Sequence, residues 1–366
     1  DGRLSGPALL EALAGGIQAA GADVVDIGVV PTPVLYFATH ELAGVRSGVM
    51  VTGSHNPPEY NGFKTVIAGT TLAGDAIQDL KRRAERAPEA EQHGRRERTD
   101  VLPTYLDTVV ERHPAPRSMT VVVDCGNGVA GVTVPEALKR LGHVVIELYT
   151  EVDGHFPNHH PDPGDIESLY DLTEAIAEHN ADIGLAFDGD GDRLGVVLPG
   201  GDVIYPDIYL MALAEDLAER NPGARVLFDV KCTGELFPVI EKAGGTPEMG
   251  RTGHSLIKAR MKESGALLAG EMSGHVFFAE DWYGFDDALV AAVRLLNILA
   301  RHDGNAADFF ARYPRTATTP EINITVTEEN KMAIVRYLQE RADLGEGERR
   351  TIDGIRMDYP NGWGLC

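Results

Sequence analysis

Short apolar runs alternate with longer helix-like stretches along most of this chain. Each run has about four to eight residues and is rich in β-branched side chains. The clearest runs are VVDIG (24–28), GVMVT (48–52), TVVVD (120–124), HVVIELY (143–149), DIGLAF (182–187), RVLFDV (225–230) and ALLAG (266–270). Continuous apolar runs are typical of strands that helices cover on both faces. The pattern therefore predicts the α/β class.

A repeat in this pattern predicts three related mixed α/β domains. A helix-like segment that ends in glycine precedes a strand at 9–28, at 134–149 and, with a weaker strand, at 236–249. Later in each repeat another strand leads into a short polar loop. Units of about one hundred residues lie within the usual size of a domain.

Breaks in the pattern suggest where these domains end. Residues 85–100 are charged and almost without apolar side chains, which predicts a linker or an exposed loop, and further breaks occur at 199–202 and 313–321. Beyond 320 the pattern predicts an alternating strand (321–330), a helix (331–343) and a hairpin (351–365). This last piece is a smaller C-terminal α+β domain. The predicted domains are 1–99, 100–202, 203–314 and 315–366.

Charge and cysteine content exclude several classes of function. The chain has 33 Lys and Arg against 56 Asp and Glu, a net charge of −23. This argues against a nucleic-acid partner and against an anionic membrane surface. No apolar run approaches the roughly 20 residues of a membrane span. Three widely spaced cysteines form neither a disulfide framework nor a zinc cluster, so a cytoplasmic protein is expected.

The loop FDGDGDR (187–193) offers three carboxylates, Asp188, Asp190 and Asp192, between glycines. Hard oxygen ligands on a compact loop suit Mg²⁺ or Ca²⁺. An EF-hand is excluded because the loop follows a strand and no glutamate stands at its twelfth position. The structural alternative is an acidic turn, which mutual repulsion of the carboxylates disfavours. Arg193 follows the loop and could pair with a phosphate near the metal.

The loop TGSHNPPEYNGFK (52–64) places Ser54 between a glycine and His55. Neighbours on an extended segment point to opposite sides, so His55 is a poor base for Ser54. The G-x-S-x-G nucleophile elbow is absent because Asn56 replaces its second glycine. A serine that carries phosphate beside the metal is therefore favoured over a hydrolase triad. An Asx or ST turn remains the structural alternative.

The third polar loop, GEMSGH (270–275), combines a carboxylate, a hydroxyl and an imidazole. Glu271 and Ser273 share one side at alternate spacing and could bind neighbouring hydroxyls of a sugar. His275 could then transfer a proton. The structural alternative is a polar loop whose groups bond one another.

Cationic residues near this loop could bind an anion. Arg251, His254 and Lys258 lie near a predicted helix start, and Lys231 follows the strand RVLF. For either lysine, the structural alternative is a solvated surface charge.

These motifs and their order resemble the α-D-phosphohexomutase superfamily, and within it the bacterial phosphomannomutase/phosphoglucomutase family. The matching strings are DGRLSGP, VPTPVLY, TGSHNPPEYNGFK, VVVDCGNGVAG, PNHHPDPG, AFDGDGDR, TGHSLIK, GEMSGH, TPEINITVTE and DGIRMDYPNGWGL. They run from Asp1 to Leu365 and so cover the whole sequence. The resemblance implies four domains around a central cleft. In chain order these carry the phosphoserine loop, the metal loop, the sugar-recognition loop and a phosphate-binding loop.

The resemblance also implies roles for individual residues. Ser54 would carry the phosphoryl group and bind Mg²⁺ together with Asp188, Asp190 and Asp192. Lys64 and His275 would be the general acid and base, and Arg193 would partner the phosphate. The residues implied to contact the sugar or its phosphate are Lys231, Thr252, Gly253, His254, Lys258, Glu271 and Ser273.

The implied activity is reversible phosphoryl transfer between C1 and C6 of mannose and glucose phosphates, through a phosphoserine and a hexose 1,6-bisphosphate such as glucose 1,6-bisphosphate. A monomer is expected. The family's N-terminal Y-D-I-R-G-like segment and C-terminal R-[AP]-S-N-T-like loop are absent from this sequence. The first and last domains are therefore expected to be incomplete, and substrate binding by the chain to be weak.

Three alternatives remain open at this point. Phosphoglucosamine mutase is disfavoured by Met272, where glucosamine enzymes usually carry glutamine. A non-catalytic phosphosugar-binding homologue would not need an intact Ser54, Lys64 and His275. A Mg²⁺-dependent phosphatase would commonly use an aspartate nucleophile.

Overall fold

The computed structural model describes residues 1–85, 90–315, 317–319, 322 and 324–366. Helices pack against four groups of strands that follow one another along the chain. Within the described residues, no helix is long and apolar enough to cross a membrane.

The first group contains a short parallel pair and a three-stranded antiparallel sheet. Its helices are α1 (Gly6–Ala19), α2 (Thr32–Glu41) and α3 (Asp75–Ala84). Its strands are β1 (Val24–Asp26), β2 (Gly48–Val51), β3 (Phe63–Ile67), β4 (Thr70–Thr71) and β5 (Arg96–Arg98). Strand β1 pairs with β5, and β3 lies between β2 and β4.

The second group forms a five-stranded sheet in the order β10-β9-β8-β6-β7. Its helices are α4 (Leu102–Arg112), α5 (Val134–Arg140) and α6 (Tyr170–His179). Its strands are β6 (Thr120–Asp124), β7 (Val144–Leu148), β8 (Ile183–Phe187), β9 (Leu194–Val197) and β10 (Val203–Ile204). Strand β10 pairs with β9, so this sheet extends just past the domain boundary placed at 202.

The third group forms a four-stranded sheet in the order β12-β11-β13-β14. Its helices are α7 (Pro206–Arg220), α8 (Leu236–Lys242), α9 (His254–Ser264), α10 (Ala288–Ala300) and α11 (Ala306–Phe310). Its strands are β11 (Arg225–Asp229), β12 (Thr246–Gly250), β13 (Leu268–Gly270) and β14 (Val276–Phe278).

The second and third sheets have one topology, which confirms the repeat predicted from the sequence. Strand β6 lies between the parallel strands β7 and β8, and β9 runs antiparallel to β8. Strands β11, β12, β13 and β14 repeat this arrangement. The antiparallel pair β2–β3 of the first group matches the pairs β8–β9 and β13–β14. All three polar loops therefore connect equivalent antiparallel neighbours.

The last group is a helix with a small antiparallel sheet. Helix α12 (Glu328–Arg341) precedes β15 (Glu348–Arg350), β16 (Arg356–Tyr359) and β17 (Gly362–Leu365). The predicted hairpin and helix are confirmed, although the helix begins three residues earlier than the pattern indicates.

Two predictions from the pattern are wrong. The linker placed at 85–100 contains β5, whose Arg96 forms ion pairs with Glu11 and Asp26. The pattern missed this strand because apolar periodicity does not reveal ion pairs. The strand placed at 321–330 is absent from its described residues, since 322 and 324–327 form neither helix nor strand and the last three residues open α12. Residues 321 and 323 lie outside the described part of the chain.

The core joins the groups into one body. Helix α10 is buried along most of its length and contacts both β9 of the second sheet and β14 of the third. The Asp287 carboxylate accepts the Val290 backbone N–H at 3.1 Å and caps the helix. Aromatic rings of α2 and α4 pack on Trp282 and Tyr283. The polar loops are thus held by a shared apolar core.

A buried histidine in this core predicts acid sensitivity. His113 packs against Trp282 and is 6% exposed, and burial together with Arg294 and Arg112 lowers its pKa to about 3. In the unfolded chain its pKa is about 6.5. The neutral ring therefore contributes fully to stability above pH 6.5, and this contribution is lost as the pH falls towards 3.

We expect the unfolding free energy to fall between pH 7.5 and pH 5 by roughly 2 kcal/mol more in the wild type than in His113→Phe. The measurement is urea unfolding of both proteins at the two pH values. An equal fall in both would show that His113 does not carry the acid sensitivity.

Candidate active site

Ser54 lies at the turn that follows β2, and its hydroxyl points towards Asp188, the first residue after β8. Its Oγ donates to Asp188 Oδ2 at 2.7 Å, and its backbone N–H donates to Thr52 Oγ1 at 2.8 Å. The residue has a φ of 49°, which is uncommon for a side chain other than glycine. A Cβ at Gly189 would lie 2.5 Å from the Ser54 carbonyl oxygen, so only glycine permits this approach of the two loops.

A buried arginine that sequence reasoning missed holds the Ser54 loop in shape. The Arg3 side chain is enclosed, and its Nε lies 3.2 Å from Asp1 Oδ2. Its guanidinium donates to the backbone carbonyls of Ser54 (2.7 Å), Asn56 (2.6 Å), Pro57 (2.6 Å) and Tyr60 (3.0 Å). Five donors in a planar fork make arginine suited to gather several carbonyls at once.

Loss of these bonds is expected to loosen the Ser54 loop. Arg3→Met leaves four carbonyls without their donor, so we expect a stability loss of about 3 kcal/mol or more and a kcat lowered roughly 10- to 100-fold. For Arg3→Lys we expect a stability and a kcat between those of the wild type and those of Arg3→Met. Thermal unfolding and kcat are compared with Arg95→Met, whose side chain is 91% exposed. A kcat equal to that of Arg95→Met would refute the role of Arg3.

The three carboxylates of the metal loop are buried and converge. Ligand oxygens of Asp188, Asp190 and Asp192 all lie within 4.8 Å of one another, and each residue is 0% exposed. Backbone N–H groups of Asp192 and Arg193 donate to Asp188 Oδ1, both at 3.1 Å. Burial and the two neighbouring aspartates raise the pKa of Asp188 well above its usual value. The charges of this cluster call for a cation.

Lys64 is the cation that lies between these carboxylates. Its Nζ donates to Asp190 Oδ2 at 2.7 Å and to Asp192 Oδ2 at 2.5 Å. Although burial would lower the pKa of Lys64, Asp190 and Asp192 raise it well above its usual value. Lys64 therefore carries a proton beside the Ser54 loop.

The cluster also fits a metal ion. Asp190 Oδ1 is buried and has no hydrogen-bond partner among the described residues, although Thr32 Oγ1 bonds the other oxygen at 2.5 Å. A buried carboxylate oxygen without a donor is costly unless a cation binds it. Oxygen ligands of this kind suit a hard divalent ion. The three carboxylates thus form a candidate divalent-metal site, and the Ser54 hydroxyl lies beside it.

Arg193 and His275 join the metal loop to the third sheet. Their backbones form an isolated antiparallel bridge, and the Leu194 N–H donates to the Gly274 carbonyl at 3.1 Å. Arg193 Nε lies 3.4 Å from His275 Nε2 and 4.0 Å from Asp188 Oδ2. Burial lowers the pKa of His275, which favours the neutral ring needed to accept a proton.

Glu271 and Ser273 meet on one side of the third loop, as their spacing predicts. Ser273 Oγ lies 2.8 Å from His275 Nδ1, and Glu271 Oε2 lies 3.4 Å from the same atom. Glu271 Oε1 accepts the Gly253 N–H at 2.5 Å. Burial raises the pKa of Glu271 to about 8, so this carboxyl group is protonated over part of the neutral range.

Lys258 and His254 lie on the first turns of α9 and share a carboxylate that sequence reasoning missed. Lys258 Nζ donates to Asp286 Oδ1 at 2.8 Å, and His254 Nδ1 lies 3.5 Å from Asp286 Oδ2. Lys258 also lies 3.9 Å from the centre of the Tyr36 ring, and His254 stacks on His275 at 5.8 Å. The Lys258 side chain is 11% exposed. Lys258 therefore connects the first and third groups, and its side chain is mostly buried.

Asp229 links the loop at Thr252 to the third polar loop. Its Oδ2 accepts the Thr252 hydroxyl at 3.0 Å, and its Oδ1 accepts the Met272 N–H at 3.2 Å. Lys231 lies two residues beyond Asp229, just past the end of β11, and is half-buried. A buried aspartate at the end of a strand was the available signal in the sequence, but its partners are 23 and 43 residues away.

His55 does not act on Ser54 through a direct bond. Its Nδ1 lies 3.0 Å from Asp162 Oδ2 of the PNHHPDPG segment, and Asp162 also accepts the Gly164 N–H at 2.9 Å. The side chain therefore turns towards the second group. This agrees with its rejection as the base for Ser54.

Three α/β groups place a serine, a carboxylate triad and a histidine on loops that join equivalent antiparallel strands, and this arrangement defines an α/β phosphohexomutase. Family models for phosphoglucomutase/phosphomannomutase match the chain three times: alpha/beta/alpha domain I at residues 1–91, domain II at 103–201 and domain III at 205–316. The chain belongs to the phosphoglucomutase/phosphomannomutase family.

Individual relatives agree with this assignment. The chain is 56% identical to the phosphomannomutase/phosphoglucomutase of Pseudomonas aeruginosa, over 100% of its own length and 79% of that protein. It is 49% identical to the phosphoglucomutase of Neisseria gonorrhoeae, over 100% of its length and 80% of that protein. A crystal structure of a family member from Burkholderia thailandensis superimposes with a TM-score of 0.94 at 48% identity, covering 100% of this chain and 80% of that one.

Proposed function

We propose that this protein is a phosphomannomutase/phosphoglucomutase that moves a phosphoryl group reversibly between C1 and C6 of mannose and glucose phosphates. The observation that carries this function is the 2.7 Å bond from Ser54 Oγ to the buried Asp188 of the triad, in a chain 56% identical to an enzyme of that name. The reaction is an isomerisation, because substrate and product differ only in the position of one phosphate.

Mg²⁺ is the ion that we propose for the divalent-metal site. Its ligands would be Asp188, Asp190, Asp192 and the Ser54 oxygen, and it would offset negative charge on the transferring phosphoryl group. Arg193, beside Asp188, adds a second cation at the same place. Buried carboxylates and a nearby guanidinium are what support this arrangement.

Ser54 exchanges the phosphoryl group with the sugar in two steps. In the first, the bond from phosphorus to Ser54 Oγ breaks while a bond forms from phosphorus to the free hydroxyl of the hexose phosphate. The product is a 1,6-bisphosphate such as glucose 1,6-bisphosphate, which also activates an enzyme whose serine has lost its phosphate. After the bisphosphate turns in the site, the second step returns the other phosphate to Ser54.

Each step moves one proton, and Lys64 and His275 are the groups proposed to hold it. In the first step the attacking sugar hydroxyl loses its proton to the base and the released Ser54 Oγ gains one from the acid. In the second step Ser54 Oγ loses its proton to the base and the released sugar oxygen gains one from the acid. His275 is buried and, with its pKa lowered, ready to accept a proton. Asp190 and Asp192 hold Lys64 in its protonated form, so of the two groups it is the one that carries a proton in the resting site.

The sugar and its distal phosphate are proposed to lie against the third group. Glu271 and Ser273 would read the sugar hydroxyls from beside His275. Residues proposed for the distal phosphate are Lys231, Thr252, Gly253, His254 and Lys258. Lys258 is already engaged by Asp286 and Tyr36. Its Nζ also lies 3.3 Å from His254 Nδ1, so it would hold His254 as well as contact the phosphate.

The proposed division of labour keeps the boundaries predicted from the sequence. Residues 1–99 would carry the phosphoserine, 100–202 the metal, 203–314 the sugar and 315–366 a phosphate contact. We also propose a cytoplasmic monomer. Three unpaired cysteines fit a reducing compartment, and family resemblance suggests the monomer.

The function is tested by supplying the purified full-length protein with glucose 1-phosphate, mannose 1-phosphate and glucosamine 1-phosphate separately. Each assay contains Mg²⁺ and a trace of hexose 1,6-bisphosphate, and the 6-phosphate product is measured. Conversion of the first two is expected. Conversion of glucosamine 1-phosphate alone would assign a phosphoglucosamine mutase. Release of inorganic phosphate would assign a phosphatase, and binding without turnover a non-catalytic homologue.

A further inference from the structure

The C-terminal group contacts two loops of the third group that the proposed function uses for the substrate phosphate. Arg356 on β16 donates through Nη1 to the backbone carbonyls of Val230, at 2.7 Å, and Cys232, at 2.6 Å. Asp353, three residues earlier, accepts the Thr252 backbone N–H at 3.1 Å. These bonds link positions more than one hundred residues apart in the chain.

Contacts within the C-terminal group fix the orientation of the Arg356 guanidinium. The residue is 0% exposed. Its Nε and Nη2 donate to Asp358 Oδ1 at 3.0 and 2.9 Å, and its Cζ lies 4.0 Å from the centre of the Trp363 ring. Asp358 and Trp363 are paired across β16 and β17. One face of the small sheet therefore orients the planar guanidinium. A lysine could not reproduce this arrangement, because its ammonium group is not a planar fork.

The two carbonyls that Arg356 binds belong to the residues on either side of Lys231. The Val230 carbonyl belongs to the peptide group that precedes Lys231, and the N–H of the following peptide group, that of Cys232, donates to the Asp229 carbonyl at 3.1 Å. The backbone at Lys231 is therefore held on both sides, and the direction in which its side chain leaves the backbone is held with it. The loop is held from its other side as well, because Asp229 accepts the Cys232 thiol at 3.1 Å. Asp229 also bonds the Thr252 hydroxyl, so both loops belong to one network.

We propose that Arg356 is a positioning residue for the substrate phosphate. It holds the peptide groups around Lys231, and Asp353 holds the loop that begins at Thr252, so the C-terminal group sets the geometry of the phosphate contacts in the third group. This proposal rests on the proposed function, in which Lys231 and Thr252 meet the phosphate. Burial of a charged group costs several kcal/mol. If the contact only joined the two groups, an apolar side chain at this position would do so without that cost.

The proposal predicts a selective loss of substrate affinity. Arg356→Lys keeps the charge but loses the planar fork, and Arg356→Met loses both. We expect the KM for glucose 1-phosphate to rise about tenfold in Arg356→Lys and further in Arg356→Met, with kcat within about threefold of the wild type. A fall in kcat with KM unchanged would overturn the proposal.

Arg350 provides a matched control in the same sheet. Its Nε donates to Asp358 Oδ2 at 3.1 Å, and its Cζ lies 5.3 Å from the Phe237 ring of the third group. It shares the partner and the interface of Arg356, but within the described residues its bonds go to Asp358 and Glu348 and not to the loop around Lys231. Arg350→Met should leave KM within about twofold. An equal rise in KM for both variants would indicate a general loosening of the interface and would overturn the specific role.

A double-mutant cycle tests whether Arg356 acts through Lys231. If it does, Arg356→Lys should raise KM much less in a Lys231→Ala background than in the wild type. Equal effects in the two backgrounds would overturn the route through Lys231. Asp353→Asn, which weakens the contact with Thr252 and leaves Arg356 in place, should raise KM severalfold, and it supplies the test if the arginine variants do not fold. No rise in that variant would then overturn the proposal.

The proposed function and the positioning role of Arg356 fail in different ways. If the wild-type enzyme turns over no hexose phosphate, the proposed function fails. If the wild type is active and the Arg356 and Asp353 variants match it in KM, only the positioning role fails.

Discussion

Replacement of Ser54 by alanine is expected to lower mutase kcat by roughly 10⁴-fold or more, because it removes the oxygen that carries the phosphoryl group. The wild-type protein incubated with glucose 1,6-bisphosphate should gain the mass of one phosphoryl group, and Ser54→Ala should not. Intact-protein mass spectrometry and steady-state kinetics measure the two effects independently.

The matched control is a second hydroxyl on the same carboxylate cluster. Thr32 Oγ1 bonds Asp190 Oδ2 at 2.5 Å, yet nothing in the proposed reaction uses it as a nucleophile. Thr32→Val should therefore lower kcat by no more than about tenfold and should still accept a phosphoryl group. If Ser54→Ala kept a kcat similar to that of Thr32→Val, Ser54 would not be the phosphoryl carrier.

Removal of one carboxylate of the triad is expected to abolish metal-dependent stabilisation. Mg²⁺ should raise the melting temperature of the wild-type protein, since a ligand that binds only the folded state stabilises it. In Asp190→Asn this rise should largely disappear, and kcat should fall about 100-fold or more. Without metal the variant should remain folded, because Lys64 keeps its bond to Asp192 and one of three like charges is gone.

Asp202→Asn is the control for this experiment. Asp202 lies ten residues beyond Asp192, and its exposed side chain pairs with Arg315. It should show the full melting-temperature rise with Mg²⁺ and a normal kcat. Chelation should inactivate both this control and the wild type, and Mg²⁺ should restore them. A melting-temperature rise in Asp190→Asn equal to that of the control would place the metal elsewhere.

Much of the secondary structure could be predicted because its signal is local. The run TVVVD at 120–124 is a strand to the residue, and the glycine-terminated segment at 134–149 is a helix followed by a strand. Strand β5 escaped prediction because it has the sequence Arg-Glu-Arg, and Arg96 forms ion pairs with residues 70 and 85 positions away. Residues 328–330 open a helix although the alternating pattern before them suggests a strand.

The residues of the candidate site also divide into those that local sequence reveals and those whose partners are distant in the chain. The carboxylates of FDGDGDR could be recognised because a metal loop carries its ligands within five residues. Lys64 entered only through family resemblance, since its partners Asp190 and Asp192 are 126 and 128 residues away. Asp286 and Asp229 were missed for the same reason, and single buried aspartates have no spacing to reveal them.

The sequence by itself determined the α/β class, the threefold repeat and the chemistry of the three polar loops, because residue type, apolar runs and short spacings are properties of neighbouring residues. Only the tertiary structure decided that these loops meet. Ser54 bonds Asp188 across 134 residues, Arg3 reaches the Ser54 loop across more than fifty, and Arg356 reaches Val230 across 126. Such contacts follow from the packing of the three repeats around a shared core, which sets distances that no local pattern contains.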